Sequence, residues 1–480
     1  MESIWSKRCT LPERPALPGN LETEIAVIGA GMAGVLIASA LQEAGRRVVV
    51  LEAGRTGSGQ TCGTTAKLTT QHGLIYHKLI DRLGAEKAEQ YALANQAALK
   101  EYHRLITGRG IDCDYTPCGA CLCAPEEELE QELQAARRLG LAADFTRDLP
   151  AFLPASAAVR FSGQARFHPL KFLGAMAEGL TIYENTPVRR VEGNLLDTPQ
   201  GTVKAGAVVF ACHYPFVNFP GMYFARMHQE RAYLLALEHA PALEDVYFCP
   251  GPEGYTLRSA GRWLLLGGGS HRTGENSAGG RYEGLRQRAK EWFPGCREAA
   301  HWSAQDCMTP DEVPFIGPFA PSRPDWYVAT GFCKWGMTTS MAAAMLLRDQ
   351  ICGIENPWAP VFDPGRFEAG EISEMASQGG QAVKGLVRRL FQLPDGAAAE
   401  IHPGQGGIVL LDGEKVGVYK DEEGVLYPVD IRCPHLGCQL EWNPDEGSWD
   451  CPCHGSRFDR FGHLISGPAQ EEICHDGTEE

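Results

Sequence analysis

An apolar run that stops dead on a cluster of glycines leaves a backbone few options. Here Glu24-Ile-Ala-Val-Ile28 is followed at once by Gly29-Ala-Gly31-Met-Ala-Gly34 and by an apolar-periodic stretch ending near Gly45, which reads as strand, tight turn and helix in succession. A second apolar run, Arg47-Val-Val-Val-Leu51, ends on Glu52 and closes a βαβ unit. The three glycines differ in what they allow. Gly29 permits the turn, Gly31 lets the backbone approach a pyrophosphate at the helix N-terminus, and Gly34 lets the helix lie on the strands. Glu52, 21 residues beyond Gly31, can accept hydrogen bonds from a ribose diol. The unit therefore predicts a bound dinucleotide, FAD or NAD.

The other end of the chain carries Cys433-Pro-His435-Leu-Gly-Cys438 and Cys451-Pro-Cys453-His454-Gly-Ser456. Cys-x-His and Cys-x-x-His spacing can give one iron two thiolates and a second iron two imidazoles. Tetrahedral zinc would also accept such donors, but zinc does not account for both loops together. The two loops resemble those of Rieske proteins, over a small all-β unit spanning 403–480. That resemblance implies a [2Fe–2S] cluster with Cys433, His435, Cys451 and His454 as ligands. It also implies a disulfide between Cys438 and Cys453, as in the respiratory type, and a Ser456 hydroxyl bonded to a cluster sulfur. Phe458 stands where the respiratory type has a tyrosine, which implies a lower potential.

Further segments decide between the dinucleotides. Thr56-Gly57-Ser58-Gly59-Gln60, Gly63-Thr64-Thr65-Ala66-Lys67, Thr186-Pro187-Val188, Val208-Val-Phe-Ala211-Cys212 and Gly331-Phe-Cys-Lys334-Trp-Gly336-Met337-Thr338, together with the βαβ unit, resemble the D-amino-acid oxidase (DAO)-like flavoproteins across most of 22–362. The resemblance implies FAD, contacted by Gly29, Gly31, Met32, Ala33, Gly34, Glu52, Ala53, Gly59, Gln60, Thr64, Thr65, Lys67, Val188, Ala211, Gly331, Lys334, Gly336, Met337 and Thr338. It places Thr186-Pro187-Val188 on a strand against the adenine and the 331–338 segment under the flavin pyrimidine, where helix amides would stabilise negative charge. The attachment cysteine of the related sarcosine oxidases would fall on Ala304, with Cys307 out of register, so non-covalent FAD is expected. Gly267-Gly-Gly269 reads as a turn.

The expected fold is an α/β Rossmann-type FAD domain (20–80, 155–215 and 301–362) interleaved with an α+β substrate domain of the DAO-like type (81–154 and 216–300). A linker, 363–402, would carry an amphipathic helix with Val383, Leu386, Val387 and Leu390 opposite Lys384, Arg388 and Arg389, and the Rieske domain would follow. At 480 residues more than one core is expected. A net charge of -16 argues against nucleic acid as a partner. No apolar run approaches a membrane span, and the opening residues lack a signal core, so a cytoplasmic location is expected. Cys113, Cys118, Cys121 and Cys123, among 17 cysteines, open with ferredoxin-like spacing; buried thiols in plain strands are the alternative reading.

Lys67, His72, His168 and Lys334 are the catalytic candidates: the histidines as proton acceptors, Lys67 as a cofactor or anion contact, and Lys334 as positive charge near the flavin or a solvent-facing loop residue. A flavin exchanges two electrons and a Rieske cluster one. The fusion therefore implies a dehydrogenase that oxidises a small substrate, an amine or amino acid by the DAO resemblance. Electrons would pass singly from FAD to the cluster and on to an external one-electron carrier such as a ferredoxin or quinone. A reductase running the other way and an electron-transfer protein or redox sensor without its own substrate are the alternatives.

Overall fold

The computed structural model describes residues 2–251, 253–366, 401–411 and 414–474. The amphipathic helix expected within 363–402 lies outside the described residues.

The βαβ unit is a strand, Leu21–Ile28, a helix, Met32–Glu43, and a strand, Val48–Leu51. Leu21–Ile28 pairs in parallel with Val48–Leu51 on one side and with Gly201–Phe210 on the other. Thr181–Tyr183 and Arg323–Thr330 extend this parallel sheet outward. Helix Met32–Glu43 packs against helix Gly336–Ile351, and both bury nearly all their apolar positions. This explains their weak amphipathicity, since a helix covered on both sides needs no polar face.

Among the described residues the second sheet has nine strands, largely antiparallel, running from Arg297–Met308 through His228–Glu238, Trp263–Arg272, Tyr255–Ala260 and Val246–Cys249 to Thr116–Cys123, Ala158–Arg166 and Lys67–Leu68, with Ala143–Thr146 also paired to Ala158–Arg166. Three of these strands, 67–68, 158–166 and 297–308, include segments expected to belong with the dinucleotide unit. The chain thus crosses between sheets more often than composition reveals. Gly267, Gly268 and Gly269 lie inside strand Trp263–Arg272, not in a turn. Their lack of side chains lets the strand pass close to Thr256 and Leu285, where a Cβ on Gly267 or Gly268 would stand 2.9 Å from Thr256 Cγ2 or 3.2 Å from Leu285 Cδ2. Pro187 and Val188 sit in the loop between strands Thr181–Tyr183 and Arg190–Glu192, not on a strand.

The C-terminal module is all-β: Gly406–Leu411, Glu414–Lys420 and Leu426–Val429 form one antiparallel sheet, and Glu441–Asn443, Ser448–Asp450, Arg457–Asp459 and Leu464–Ser466 a second. Its core gathers Tyr419, Trp442, Trp449 and Phe458. It rests on the larger body through buried polar contacts. Arg231 meets Glu446 at 2.6 Å, with Arg457 3.2 Å from the same carboxylate and 2.9 Å from Asp450. Asn276 donates to Asn443 at 3.0 Å and to Asp445 at 2.9 Å. Gly274 meets Pro452 so closely that a Cβ would stand 2.5 Å from the proline nitrogen.

Candidate functional site: a dinucleotide cavity and a cysteine–histidine centre

Gly29 ends its strand at φ +104°, a conformation that L side chains avoid, and a Cβ there would sit 2.7 Å from Ala211 O. On Gly34 a Cβ would fall 1.8 Å from Gly29 O, so the helix can lie on the turn only because residue 34 has no side chain. Glu52, at the end of the adjacent strand, accepts from Ala30 N at 2.7 Å and Gly54 N at 2.9 Å. Burial raises its carboxyl pKa against those amides. The bare turn, the helix start and the carboxylate line one end of a cavity of about 1160 Å³, above the roughly 300–1,000 Å³ of drug-sized ligand sites. Gly31, Met32, Ala33, Ala53, Gly59, Gln60, Thr64, Thr65, Val188, Ala211, Gly336 and Met337 line the same cavity. This glycine cradle fits FAD. Gly34, Gly331 and Thr338 stand behind the wall: Gly331 turns at φ +71° against Thr309, and Thr338 Oγ1 exchanges two hydrogen bonds with the Thr69 backbone.

Farther along, Lys67 Nζ lies 5.4 Å from the ring centroid of Phe248 and 5.0 Å from that of Trp335, and donates to Thr256 Oγ1 at 3.1 Å. Burial, aided by the positive charges of Arg258 and Lys334, lowers its pKa to about 7. Lys334, partly exposed at the cavity, has its ammonium 2.7 Å from Glu230 and 3.3 Å from Ser270 Oγ. Burial pulls its pKa down, and the Glu230 carboxylate more than offsets this. Asp306 faces the same space; burial and the charge of Glu230 lift its pKa to about 6 against the pull of Lys334 and Lys67. Neither Glu230 nor Asp306 stood out in the sequence, because each gains its role from strands far apart in the chain. The alternation of strand Arg297–Met308 was the available signal.

The two histidines do other work. His72 lines the cavity, but Nδ1 is bonded to Tyr91 OH at 2.6 Å and Nε2 to Thr69 O at 2.7 Å. Burial drops its pKa to about 3. With both nitrogens hydrogen-bonded, it stacks on Trp335 at 4.8 Å as part of the cavity wall. His168 does not line the cavity; it caps helix Pro169–Met176, its Nδ1 accepting from Lys171 N at 3.3 Å, and meets the Trp5 ring edge. Cys307 is a buried thiol directed at His213 O.

In the β module, the loops Cys433–Cys438 and Cys451–Ser456 close alike. Cys433 N donates to Cys438 O and Gly437 N to Cys433 O; Cys451 N donates to Ser456 O and Gly455 N to Cys451 O. The matched turns bring Cys433 and Cys451 together, with backbone N–H groups of His435 and Leu436 on the first thiol and of Cys453 and His454 on the second. His435 Nδ1 lies 3.2 Å from His454 Nδ1. Burial lowers these imidazoles to about 4 and about 3, keeping them neutral as metal ligation requires. Two thiols ringed by amides and two neutral imidazoles facing inward fit a [2Fe–2S] cluster. Cys438 and Cys453 form a disulfide, Cα–Cα 6.6 Å. Ser456 interacts with Cys433 and accepts from Ala469 N at 3.0 Å.

Cys113, Cys118, Cys121 and Cys123 do not converge. Cys113 lies in the core around the dinucleotide unit, Cys121 and Cys123 in the core under the second sheet, and among the described residues no grouping of possible metal ligands includes any of the four.

A family model described as FAD dependent oxidoreductase, DAO, matches residues 24–350, and a Rieske [2Fe-2S] domain model matches 392–475. The chain belongs to the DAO family of FAD-dependent oxidoreductases. This DAO-family chain is similar along nearly its whole length to the putative Rieske 2Fe-2S iron-sulfur protein YhfW of Bacillus subtilis (strain 168): 36% identical over 496 residues, 98% of this chain and 96% of that one. Its C-terminal module is similar to cytochrome b6-f complex iron-sulfur subunit 2 from the cyanelle of Cyanophora paradoxa, 44% identical over 61 residues, 12% of this chain and 25% of that one. In fold it is similar to glycine oxidase from Geobacillus kaustophilus, with TM-score 0.62, 21% identity, and 73% of this chain and 100% of that one covered. L-proline dehydrogenase from P. horikoshii follows with TM-score 0.60, 20% identity, and 74% and 99% covered. As a DAO-family member with a Rieske domain, the chain is an oxidoreductase that uses FAD and a [2Fe–2S] cluster. No helix among the described residues is long and apolar enough to cross a membrane.

Proposed function

We propose that this oxidoreductase dehydrogenates a small amine or amino acid and passes the electrons, one at a time, through its cluster to an external one-electron carrier such as a ferredoxin or quinone. The observation that carries the reading is a shared wall. Residues 464–472 of the β module line the same cavity as the glycine turn, so the module that carries the cluster ligands forms part of the wall of the dinucleotide cavity. FAD, when bound, supplies a two-electron acceptor at the substrate and the cluster a one-electron relay. The fold neighbours named glycine oxidase and L-proline dehydrogenase support an amino acid as substrate.

On this reading Gly29, Gly31, Met32, Glu52, Gln60 and Ala211 hold the dinucleotide, and Lys334 with the start of helix Gly336–Ile351 faces the flavin. Cys433 and Cys451 hold one iron, His435 and His454 the other. Lys67, sandwiched by Phe248 and Trp335, meets a substrate carboxylate, and Asp306 receives the proton leaving the substrate nitrogen. The test is anaerobic mixing of the oxidised protein with a panel of amines and amino acids while the visible flavin band is followed. Bleaching by at least one member, followed by appearance of the reduced-cluster EPR signal, is expected. Bleaching by none, with a candidate product re-oxidising the dithionite-reduced protein, would establish the reverse reaction instead.

A further inference from the structure

Both imidazoles of the cysteine–histidine centre reach out of their own module. His435 Nε2 donates to Asn218 Oδ1 at 2.8 Å. A ring nitrogen of His454 is bonded to the backbone of Phe224, whose ring meets the imidazole edge-on with centroids 6.0 Å apart. Asn218 and Phe224 belong to one connection of the larger body, between strands Gly201–Phe210 and His228–Glu238, with Phe224 on its 3-10 turn Tyr223–Ala225, and residues 211–214 and 216 of that connection line the cavity.

Two buried glutamines complete the contact. Gln229, 2% exposed, donates through Nε2 to His454 O at 2.6 Å, and Gln305, 1% exposed, donates to Gly455 O at 2.8 Å and to Gln229 Oε1. Gly455, at φ +78°, lies so close that a Cβ there would stand 2.7 Å from Gln229 Cβ. The Gln305 backbone N–H donates to Gln60 Oε1 at 2.7 Å, and Gln60, Gln305 and Asp306 all line the cavity. A hydrogen-bonded path thus runs from the histidine loop to the cavity wall through side chains that are anchored in the larger body, Gln305 Oε1 accepting from Arg231 at 3.1 Å and Gln229 bonded to His213. Amides buried at this depth are retained where their partners must be fixed in place.

We propose that the imidazole edge of the centre is the internal electron port to the flavin cavity, and that Asn218, Gln229 and Gln305 are positioning residues that hold it there. Each substrate oxidised yields two electrons and two protons. The electrons cross this edge one after the other, each leaving to the external one-electron acceptor, while the protons pass to solvent. The inference rests on the proposed reading that both cofactors serve one turnover.

The full chain carrying both cofactors is given a sub-stoichiometric flash of photoreduced deazaflavin, and redistribution of electrons between the flavin and cluster absorbance bands is timed. The Gln229→Ala, Gln305→Ala double variant is expected to slow redistribution about tenfold or more, in line with the effect of removing partners that orient metal ligands. Asn218→Ala, at a partly exposed site where folding is less at risk, is expected to slow it and to move the g-values of the reduced cluster. Asn276→Ala, in the same interface but bonded to Asn443 and Asp445, is expected to change neither. Unchanged rates in both the Asn218 and the glutamine variants, or equal slowing by Asn276→Ala, would overturn the port. Failure of the unaltered chain to redistribute electrons at all would instead overturn the coupled-cofactor reading beneath it.

Discussion

Lys67 and Asp306 carry titrations near neutrality in one cavity, and their linkage to folding has opposite signs. Burial drops the Lys67 pKa from 10.5 to about 7, so between those values the unfolded chain binds the extra proton. Stability then rises with pH across that window, and the cost of the buried charge is complete below about pH 7. Burial raises Asp306 from 3.8 to about 6; here the unfolded chain ionises first, and stability falls as pH climbs to about 6. Lys67→Met should therefore raise the melting temperature most at pH 7 and below, with the gain fading toward pH 10.5. Asp306→Asn should raise it above pH 6 and leave it unchanged below pH 3.8. Thermal scans across pH check both signs. If Asp306 takes the substrate proton, the rate of flavin bleaching by an active substrate should also fall as pH drops below about 6. In Asp306→Asn that rate should be low and flat with pH.

The strand–glycine–helix opening shows at the element scale why some features were legible and others not. Gly29, Gly31 and Gly34 could be read because each meets a local demand, a turn or a close approach, within a few residues of itself. The Cys433 and Cys451 loops could be read for the same reason: each closes on its own backbone hydrogen bonds. Strands 158–166 and 297–308 could not be assigned to a sheet, since pairing partners such as Thr116–Cys123 and His228–Glu238 leave no local mark. His72 and His168 looked alike in sequence and were separated only by Tyr91 and Trp5, which fill the space around them. The local demand is testable. Gly34→Ala places a methyl group 1.8 Å from Gly29 O and must push helix Met32–Glu43 off its strand, at a cost of about 1–3 kcal/mol for overpacking. Flavin content after purification should drop with the melting temperature, whereas Gly108→Ala, on helix Ala85–Arg109 with nothing within 4 Å of the new Cβ, should leave flavin content unchanged and raise the melting temperature slightly, since alanine is favoured over glycine in a helix.

For the whole molecule, the interface that joins the two cofactor sites hangs on one carboxylate. Glu446 accepts from Arg231 and Arg457 with its side chain 6% exposed, and also from Ser303. Those two guanidinium groups hold its carboxyl at about 2 although burial works to raise it. A depressed carboxyl contributes stability that is fully present above its ordinary 4.5 and is lost progressively as pH falls from there to about 2, so docking in the unaltered chain should keep most of it at pH 4. Glu446→Gln removes the charge and leaves Arg231, 3% exposed, buried without its partner, which costs about 3–5 kcal/mol. Because residues 464–472 wall the flavin cavity, undocking should also open it. Calorimetry of this variant should resolve a separate transition for the β module, and flavin should dissociate faster, while the cluster EPR signal, built from loops internal to the module, persists with g-values shifted as His435 loses Asn218. Replacing both partners, Arg231→Met with Glu446→Leu, should restore a single transition, since an apolar pair carries no unpaired charge. A Glu446→Gln chain that unfolds in one step and keeps its flavin would show that the module is held by its other contacts, Asn276 and Pro452 foremost.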